Sequence, residues 1–282
     1  MLQQKKIAFL GAGSMAEAMI SGITAAKKLS PQQITVSNNT NKERLRSLEK
    51  TYAIRGVTRE NLQLDDMDII ILAMKPKDAE TALHSIHDLL QPHQLILSVL
   101  AGITTEFMEQ RLPAGQQVIR VMPNTSSKIR ESATAICAGE HTSKQAMTIA
   151  AELLESIGEV YMIHEEQMDT FTGIAGSGPA YFYLLMEHME KEGIDAGFPL
   201  ELVRQMIAQT ILGAAKMVHE TGESPAVLRK NVTSPNGTTA AGLAALEAHG
   251  GGTAIAEAVK QAAHRSKEIS SELEKIRTGV IR

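Results

Sequence analysis

Tryptophan is absent from this 282-residue chain, aromatic residues of all kinds make up 3% of it, and cysteine occurs once. With so few aromatic faces, binding by stacking on bases or sugar rings is set aside. Cys137 has no second cysteine to pair with, so no intramolecular disulfide framework exists, and that usage fits a reducing compartment. No apolar run approaches the length of a membrane span. The N-terminus, Met1-Leu2-Gln3-Gln4-Lys5-Lys6, runs straight into a short strand without a signal-peptide core. The expectation is a cytoplasmic protein. Charge of either sign is not in excess: 28 Lys and Arg against 32 Asp and Glu leave a net −4, which gives no reason to expect nucleic acid or an anionic membrane as partner. The basic residues near the C-terminus, Lys260, Arg265, Lys267, Lys275 and Arg277, are balanced by Glu268, Glu272 and Glu274 and read as a solvated helix face.

What is present is an ordinary globular composition, 43% hydrophobic and 21% charged, in a chain long enough for one large or two medium domains. Short apolar runs at Ile7–Leu10, Ile34–Val36, Ile69–Ala73, Leu95–Val99, Val118–Val121, Ala133–Cys137 and Val160–Ile163 read as strands. Near-continuous runs such as Asp68-Ile69-Ile70-Ile71-Leu72-Ala73 suit strands buried on both faces. Between them lie helical patterns at Met15–Lys27, Asn41–Thr51, Ala79–Leu90, Thr105–Arg111 and Ser143–Ile157. This alternation predicts an α/β fold with a doubly wound sheet over residues 1–164. Residues 165–282 then read as all-α, with helices near Glu166–Thr172, Pro179–Glu192, Pro199–Thr221, Thr239–Ala248 and Thr253–Lys275. The stretch Met206 to Val218 is apolar nearly all round. A helix like that is central to a core or buried against another chain. In so small a second half the better cover is a second copy, which predicts an obligate dimer.

The first strand runs into Gly11-Ala12-Gly13-Ser14-Met15-Ala16, a G-x-G-x-x-A turn that opens a helix. Gly11 permits the tight turn, Gly13 lets the backbone approach a pyrophosphate, and Ala16 lets helix and strand pack closely. Ser14 and Met15 follow at the helix start. The second strand ends at Ser37-Asn38-Asn39-Thr40, where an NAD-selective protein would place an acid on the ribose hydroxyls. Neutral donors stand there, with Lys42 and Arg44 close behind, which favours a 2′-phosphate and hence NADP. Ala73-Met74-Lys75-Pro76 lies at a strand's carboxyl end, where ligands of open α/β sheets bind, and Lys75 there either faces the cofactor or caps surface charge. Val99-Leu100-Ala101-Gly102 and Val121-Met122-Pro123-Asn124-Thr125 share that edge, their backbone groups placed to hold a nicotinamide amide.

Near the other end, Asn231-Val232-Thr233-Ser234-Pro235-Asn236-Gly237-Thr238-Thr239 puts small hydroxyl and amide side chains and a Gly ahead of an Ala-rich helix. Unpaired N–H groups and the positive end of the helix dipole make such a start a site for a small carboxylate. Other chemistry is poorly supported. His84 and His87 have no third ligand at metal spacing, Cys137 sits in an apolar run and reads as a buried inert thiol, and neither Ser14 nor Ser177 has the setting of an activated nucleophile.

These residues resemble the pyrroline-5-carboxylate reductase family over essentially the whole chain. The resemblance rests on Gly11–Ala16, Ala73–Pro76, Met122–Thr125, Gly176-Ser177-Gly178-Pro179-Ala180-Tyr181, Gly213–Met217 and Val232–Thr239. It implies an NADPH-binding Rossmann-type domain, a helical dimerisation domain interleaved with a partner's, and reduction of the cyclic imine 1-pyrroline-5-carboxylate to L-proline. It places the substrate carboxylate on the N–H groups of Gly237, Thr238 and Thr239, with the Thr239 hydroxyl on the ring nitrogen and Ser234 shaping the pocket. Glu165 matches a position near the substrate, and Asn61 and Asn231 match positions that contact the cofactor. No metal is implied. Where several relatives read Pro-Gly-Gly this chain has Pro235-Asn236-Gly237, and Asn is the next residue after Gly to accept a left-handed backbone. Ser126 stands where many members have a second Pro, and Asn39 replaces an Arg found in some, which weakens the NADP preference and leaves NADH open. The related β-hydroxyacid dehydrogenases follow their Gly-rich helix start with a catalytic Lys; here none occurs until Lys191. A non-catalytic NADP sensor would not need the hydroxyl-rich turn. Assembly beyond a dimer and a choice between five- and six-membered imines stay open, since one methylene typically shifts specificity about 10–200-fold.

Overall fold

The computed structural model describes residues 2–277, and side chains as far as residue 272. The side chains of Glu274, Lys275 and Arg277, part of the expected charge balance, lie outside the described residues. In chain order the first part runs β1 (Ile7–Leu10), α1 (Ser14–Ala25), β2 (Ile34–Asn38), α2 (Lys42–Tyr52), β3 (Arg55–Thr58), β4 (Ile69–Leu72) and α3 (Ala79–Ile86). It continues with β5 (Leu95–Ser98), α4 (Thr105–Glu109), β6 (Gln117–Met122), β7 (Ser132–Ala138), α5 (Lys144–Leu154) and β8 (Gly158–Met162). The described strands form one sheet in the order β3-β2-β1-β4-β5-β6-β7-β8. Neighbours are parallel except β6 and β7, which pair antiparallel. The stretch between Met122 and Ser132 holds only a 3-10 turn, too little for the helical crossover a parallel pair requires.

Every residue of β1, β4 and β5 is buried, which is why their sequences are continuously apolar rather than alternating. Alternate residues still serve opposite faces. Ile7, Phe9, Ile34, Val36, Ile69, Ile71, Leu95 and Leu97 pack with α1, α2 and α5. Ala8, Leu10, Ile70, Leu72 and Ile96 pack with α3 and α4 through Leu83, Ile86, Phe107 and Met108. The sheet is therefore doubly wound, as its sequence predicts. β3 is an element the sequence did not announce: it is an edge strand whose Arg55-Gly56-Val57-Thr58 carries one β-branched apolar residue.

The remaining helices are α6 (Met168–Phe171), a π-helical turn at Thr172–Gly176, α7 (Gly178–Asp195), α8 (Leu200–Thr221), α9 (Pro225–Asn231), α10 (Thr238–Ala248) and α11 (Gly251–Arg277). The chain forms two compact units, one ending at Gly176 and taken up again from Gln261, the other Ser177–Lys260. The end of α11 thus packs in the sheet-bearing unit: Ser266 is buried there, and its hydroxyl donates to Asp169 at 2.7 Å. The second unit has almost no core of its own. α8 buries only Val203 and Ile207 and α10 nothing, while Phe182, Tyr183, Leu184, Leu212 and Met217 are each about half exposed. α9 is only seven residues long and was not expected. Among the described residues no helix is long and apolar enough to cross a membrane.

The packing of α1 on the sheet supplies a test. A Cβ on Gly22 would lie 2.6 Å from Ile157 Cγ2 and 2.7 Å from the Ser156 carbonyl. Overpacking of this kind costs about 1–3 kcal/mol, so Gly22→Ala is expected to lower the unfolding free energy in urea by that order. Unchanged stability would show that the contact yields.

Candidate active site

The carboxyl ends of β1 to β6 bring thirteen of the expected cofactor residues to one edge of the first unit. Gly11 leaves β1 at φ 118°, and a Cβ there would collide with the Ala73 carbonyl, which comes from the turn after β4. That crossing is pinned from both sides: Gly11 N–H donates to Ser37 O and Ala73 N–H to Leu10 O, each at 2.9 Å. Gly13 is the N-cap of α1 and offers no side-chain cap, so the first-turn N–H groups from Ser14 and Met15 onward face outward unpaired. Ser37 and Asn38 end β2 and Asn39 follows it; Asn61 closes the 3-10 turn Arg59–Asn61, its amide on Thr58 Oγ1 at 3.0 Å. Lys75 and Pro76 open the turn after β4, Ala101 follows β5, and Asn124 follows β6.

These residues fit a dinucleotide. Among the described residues Ser37 Oγ is buried with no hydrogen-bond partner and would be satisfied by a ribose or phosphate oxygen, and the uncapped α1 start suits a pyrophosphate. The Asn124 side chain is engaged within the protein: Oδ1 accepts from Ser126 N–H at 3.0 Å and Nδ2 donates to Ala175 O at 3.1 Å. It locks the loop after β6 to the π-helical turn, leaving backbone groups to meet a ligand. Arg44 turns back from α2 to donate to Ala12 O at 2.9 Å and to Glu17 at 2.6 Å.

The hydroxyl-rich turn lies in the second unit, between α9, which ends at Asn231, and α10. Asn236 takes φ 60°, the left-handed backbone, so the Asn does what a second Gly would do. A Cβ on Gly237 would strike Ser234 Oγ. Gly237 N–H donates to Ser234 O at 3.1 Å and closes the turn, so Thr238 and Thr239 carry the open N–H groups of an uncapped helix start. Neither threonine hydroxyl is engaged among the described residues.

Glu165 sits in a polar joint that sequence reasoning missed. Its Oε1 takes the Arg120 guanidinium, and its Oε2 accepts from Thr105 Oγ1 at 3.0 Å, from Thr105 N–H at 3.3 Å and from Cys137 Sγ at 3.1 Å. Arg120 is 3% exposed, and its Nη2 stands 3.9 Å from Asp169. Burial works to raise the Glu165 pKa, but the Arg120 charge and the Cys137, Arg120 and Thr105 hydrogen bonds hold it below the usual range. Burial and the Glu165 charge push the Cys137 thiol far up, so it is unreactive. The available signal was Arg120 itself, one charge inside the apolar run Val118–Val121. Among the described residues no cluster of three or more His, Cys, Asp or Glu is arranged for a metal.

Comparison with known proteins agrees with this geometry. A family model described as pyrroline-5-carboxylate reductase dimerisation matches residues 165–269, and one described as NADP oxidoreductase, coenzyme F420-dependent, matches residues 6–102. The chain is 62% identical over 272 residues to pyrroline-5-carboxylate reductase 1 of Bacillus subtilis, covering 96% of this chain and 92% of that protein. It is 35% identical to the pyrroline-5-carboxylate reductase of Arabidopsis thaliana, covering 94% and 95%. Among solved structures, a pyrroline-5-carboxylate reductase from Coxiella burnetii superposes with a TM-score of 0.88 at 30% identity, over 95% of this chain and 99% of that one. Plasmodium falciparum pyrroline carboxylate reductase, solved with NADP bound, gives 0.86 at 27%, over 96% and 100%.

The Arg120–Glu165 pair makes stability depend on pH with a definite sign. A carboxyl whose folded pKa is depressed stabilises fully above its unfolded value of about 4.3 and loses that contribution as pH falls through the folded value. Glu165→Gln is expected to lower the melting temperature at pH 7, leaving a buried guanidinium with only Asp169 at 3.9 Å to answer it, at a cost of up to about 3–5 kcal/mol. The deficit relative to wild type should shrink towards low pH. A deficit independent of pH would assign the loss to packing.

Proposed function

The chain belongs to the pyrroline-5-carboxylate reductase family, and from that premise we infer that it reduces 1-pyrroline-5-carboxylate to L-proline, the last step of proline biosynthesis, as a homodimer. NADPH is the cofactor, with NADH as alternative donor. Residues 1–164 hold the cofactor and residues 165–282 the substrate and the partner contacts, and the reaction runs in the cytoplasm. The observation that carries this reading is the near full-length kinship with enzymes named for this reaction, together with an uncapped, hydroxyl-rich helix start of the kind a small acid needs. The apolar faces that α7 and α8 leave exposed supply the surface a second copy covers.

The chemistry supplied by the bound nicotinamide is a hydride, delivered to the imine carbon. Gly11, Gly13, Ser14 and Met15 receive the pyrophosphate; Ser37, Asn38 and Asn39 meet the adenine ribose; Asn61, Ala73, Lys75, Pro76, Ala101, Asn124 and Asn231 complete the cofactor contacts. The open N–H groups of Thr238 and Thr239 take the substrate carboxylate, while Gly237, lacking a Cβ, lets it approach. The Thr239 hydroxyl orients the ring nitrogen, and Ser234 and Thr238 shape the pocket. Glu165, its oxygens held by Arg120, Thr105 and Cys137, serves the substrate by fixing the start of the helical half. When the imine binds as the iminium, hydride addition gives the neutral amine directly and no general acid is required, so positioning is the protein's main contribution.

The deciding experiment follows NADPH, and separately NADH, by absorbance on adding racemic pyrroline-5-carboxylate, with proline identified as product. Tight NADPH binding without turnover would overturn the reading in favour of nucleotide sensing. Thr239→Ala is expected to lower kcat about tenfold, the scale of one lost hydrogen bond to a charged group, with NADPH affinity unchanged. Wild-type rates in that variant would remove Thr239 from the reaction.

A further inference from the structure

Cofactor choice in this fold is ordinarily set at the end of β2, by an acid that holds the ribose diol or a cation that meets a 2′-phosphate. The residues that end β2 in this chain supply neither. Ser37, Asn38, Asn39 and Thr40 are neutral. The guanidinium that follows close behind in sequence, Arg44 in the first turn of α2, is engaged elsewhere: its Nε donates to Ala12 O and its Nη2 meets Glu17 Oε2 at 2.6 Å. Glu17 belongs to α1, whose N-terminus faces the expected pyrophosphate, and its other oxygen lies 3.4 Å from Tyr52 OH on α2. The pair is partly sheltered, with side chains 27% and 35% exposed, so solvent does not fully screen it. Lys42 has no ion pair among the described residues but stands exposed.

We propose that Glu17 governs how strongly this enzyme distinguishes NADP from NAD, by holding the Arg44 guanidinium against the Gly-rich turn and away from the 2′-phosphate. This rests on the reductase reading above. Arg44 in the wild type supports the turn that both nucleotides use, and its charge is balanced by Glu17 rather than by a phosphate. Glu17 acts through Arg44 and touches neither cofactor nor substrate, so it is a positioning residue. Freed from Glu17, the guanidinium swings from Ala12 towards the end of β2, where only a nucleotide bearing a 2′-phosphate gains from it.

The test is calorimetric titration of NADP+ and NAD+ into the purified enzyme and into E17Q, E17D and R44Q. The readout is the ratio of the two dissociation constants, which a general loosening of the turn would not move. E17Q, which keeps the shape but cancels the negative charge, is expected to raise the preference for NADP+ about tenfold. E17D, one methylene short of Arg44, should move it the same way by less. R44Q should weaken both nucleotides alike. An unchanged ratio in both Glu17 variants would overturn the proposal, as would an R44Q enzyme that loses NADP+ affinity alone, since Arg44 would then already be bound to the phosphate. A wild-type chain that binds neither nucleotide would overturn the proposal and the reductase reading together.

Discussion

A guanidinium placed in the middle of an apolar strand has to be answered by an anion, and much of the first unit is arranged around that demand. Arg120 on β6 faces Cys137 across the antiparallel register with β7. Glu165, arriving 45 residues later, supplies the opposing charge. Isolated burial of either ion would cost several kcal/mol, so the two can be accommodated only together. Their meeting fixes where the chain goes after β8: the turn at Glu165–Gln167 must lie against β6 and the start of α4. Asp169, one turn on, faces the same guanidinium and accepts from Ser266 of α11. Four residues past Arg120, Asn124 ties the same sheet edge to the π-helical turn through Ala175. The loop after β6, which the proposed function assigns to the cofactor, is thus held in place by polar bonds, as orienting a hydride requires.

The second unit follows the opposite rule. Its helices are apolar, yet α10 buries nothing and α8 buries two residues. A single chain cannot satisfy those faces, and in the homodimer its folding and association are one event. The Gly-rich composition has local reasons as well: Gly193 lies 2.7 Å, from the position of a Cβ, to both Val203 methyls, so α7 and α8 approach too closely for any side chain there.

What the sequence made legible was everything governed by local pattern. The doubly wound sheet followed from apolar runs and helical spacing, and the fingerprint turn from its glycines in strand–turn–helix context. The left-handed bend at Asn236 was readable because Asn tolerates it. What escaped depended on partners far along the chain. β3 is a strand because it pairs with β2, not because Arg55-Gly56-Val57-Thr58 demands it. α9 is seven residues long, shorter than its composition can advertise. The Arg120–Glu165 joint has no sequence spacing to reveal it. Arg44 shows the same boundary in the site itself: its position suggested a 2′-phosphate, and only the fold reveals Glu17 beside it.

The same distinction between charge present and charge available explains why the turn Ser234–Thr239 carries no titratable group. Hydride transfer to an iminium changes no net charge: the positive charge leaves the imine nitrogen and passes to the oxidised donor, so no new ion has to be created by the protein. An acidic or basic side chain in the pocket would bind reactant and product unequally without lowering the barrier, since only interactions that strengthen towards the transition state accelerate the step. In the proposed site the carboxylate is met by backbone N–H groups at the uncapped start of α10, and its charge is the same before and after reaction. A hydroxyl such as that of Thr239 can accept from the nitrogen in either state without itself ionising. The absence of His, Lys or carboxylate from Ser234–Thr239 therefore follows from the chemistry, and the pH dependence of the rate is expected to report the imine rather than the protein.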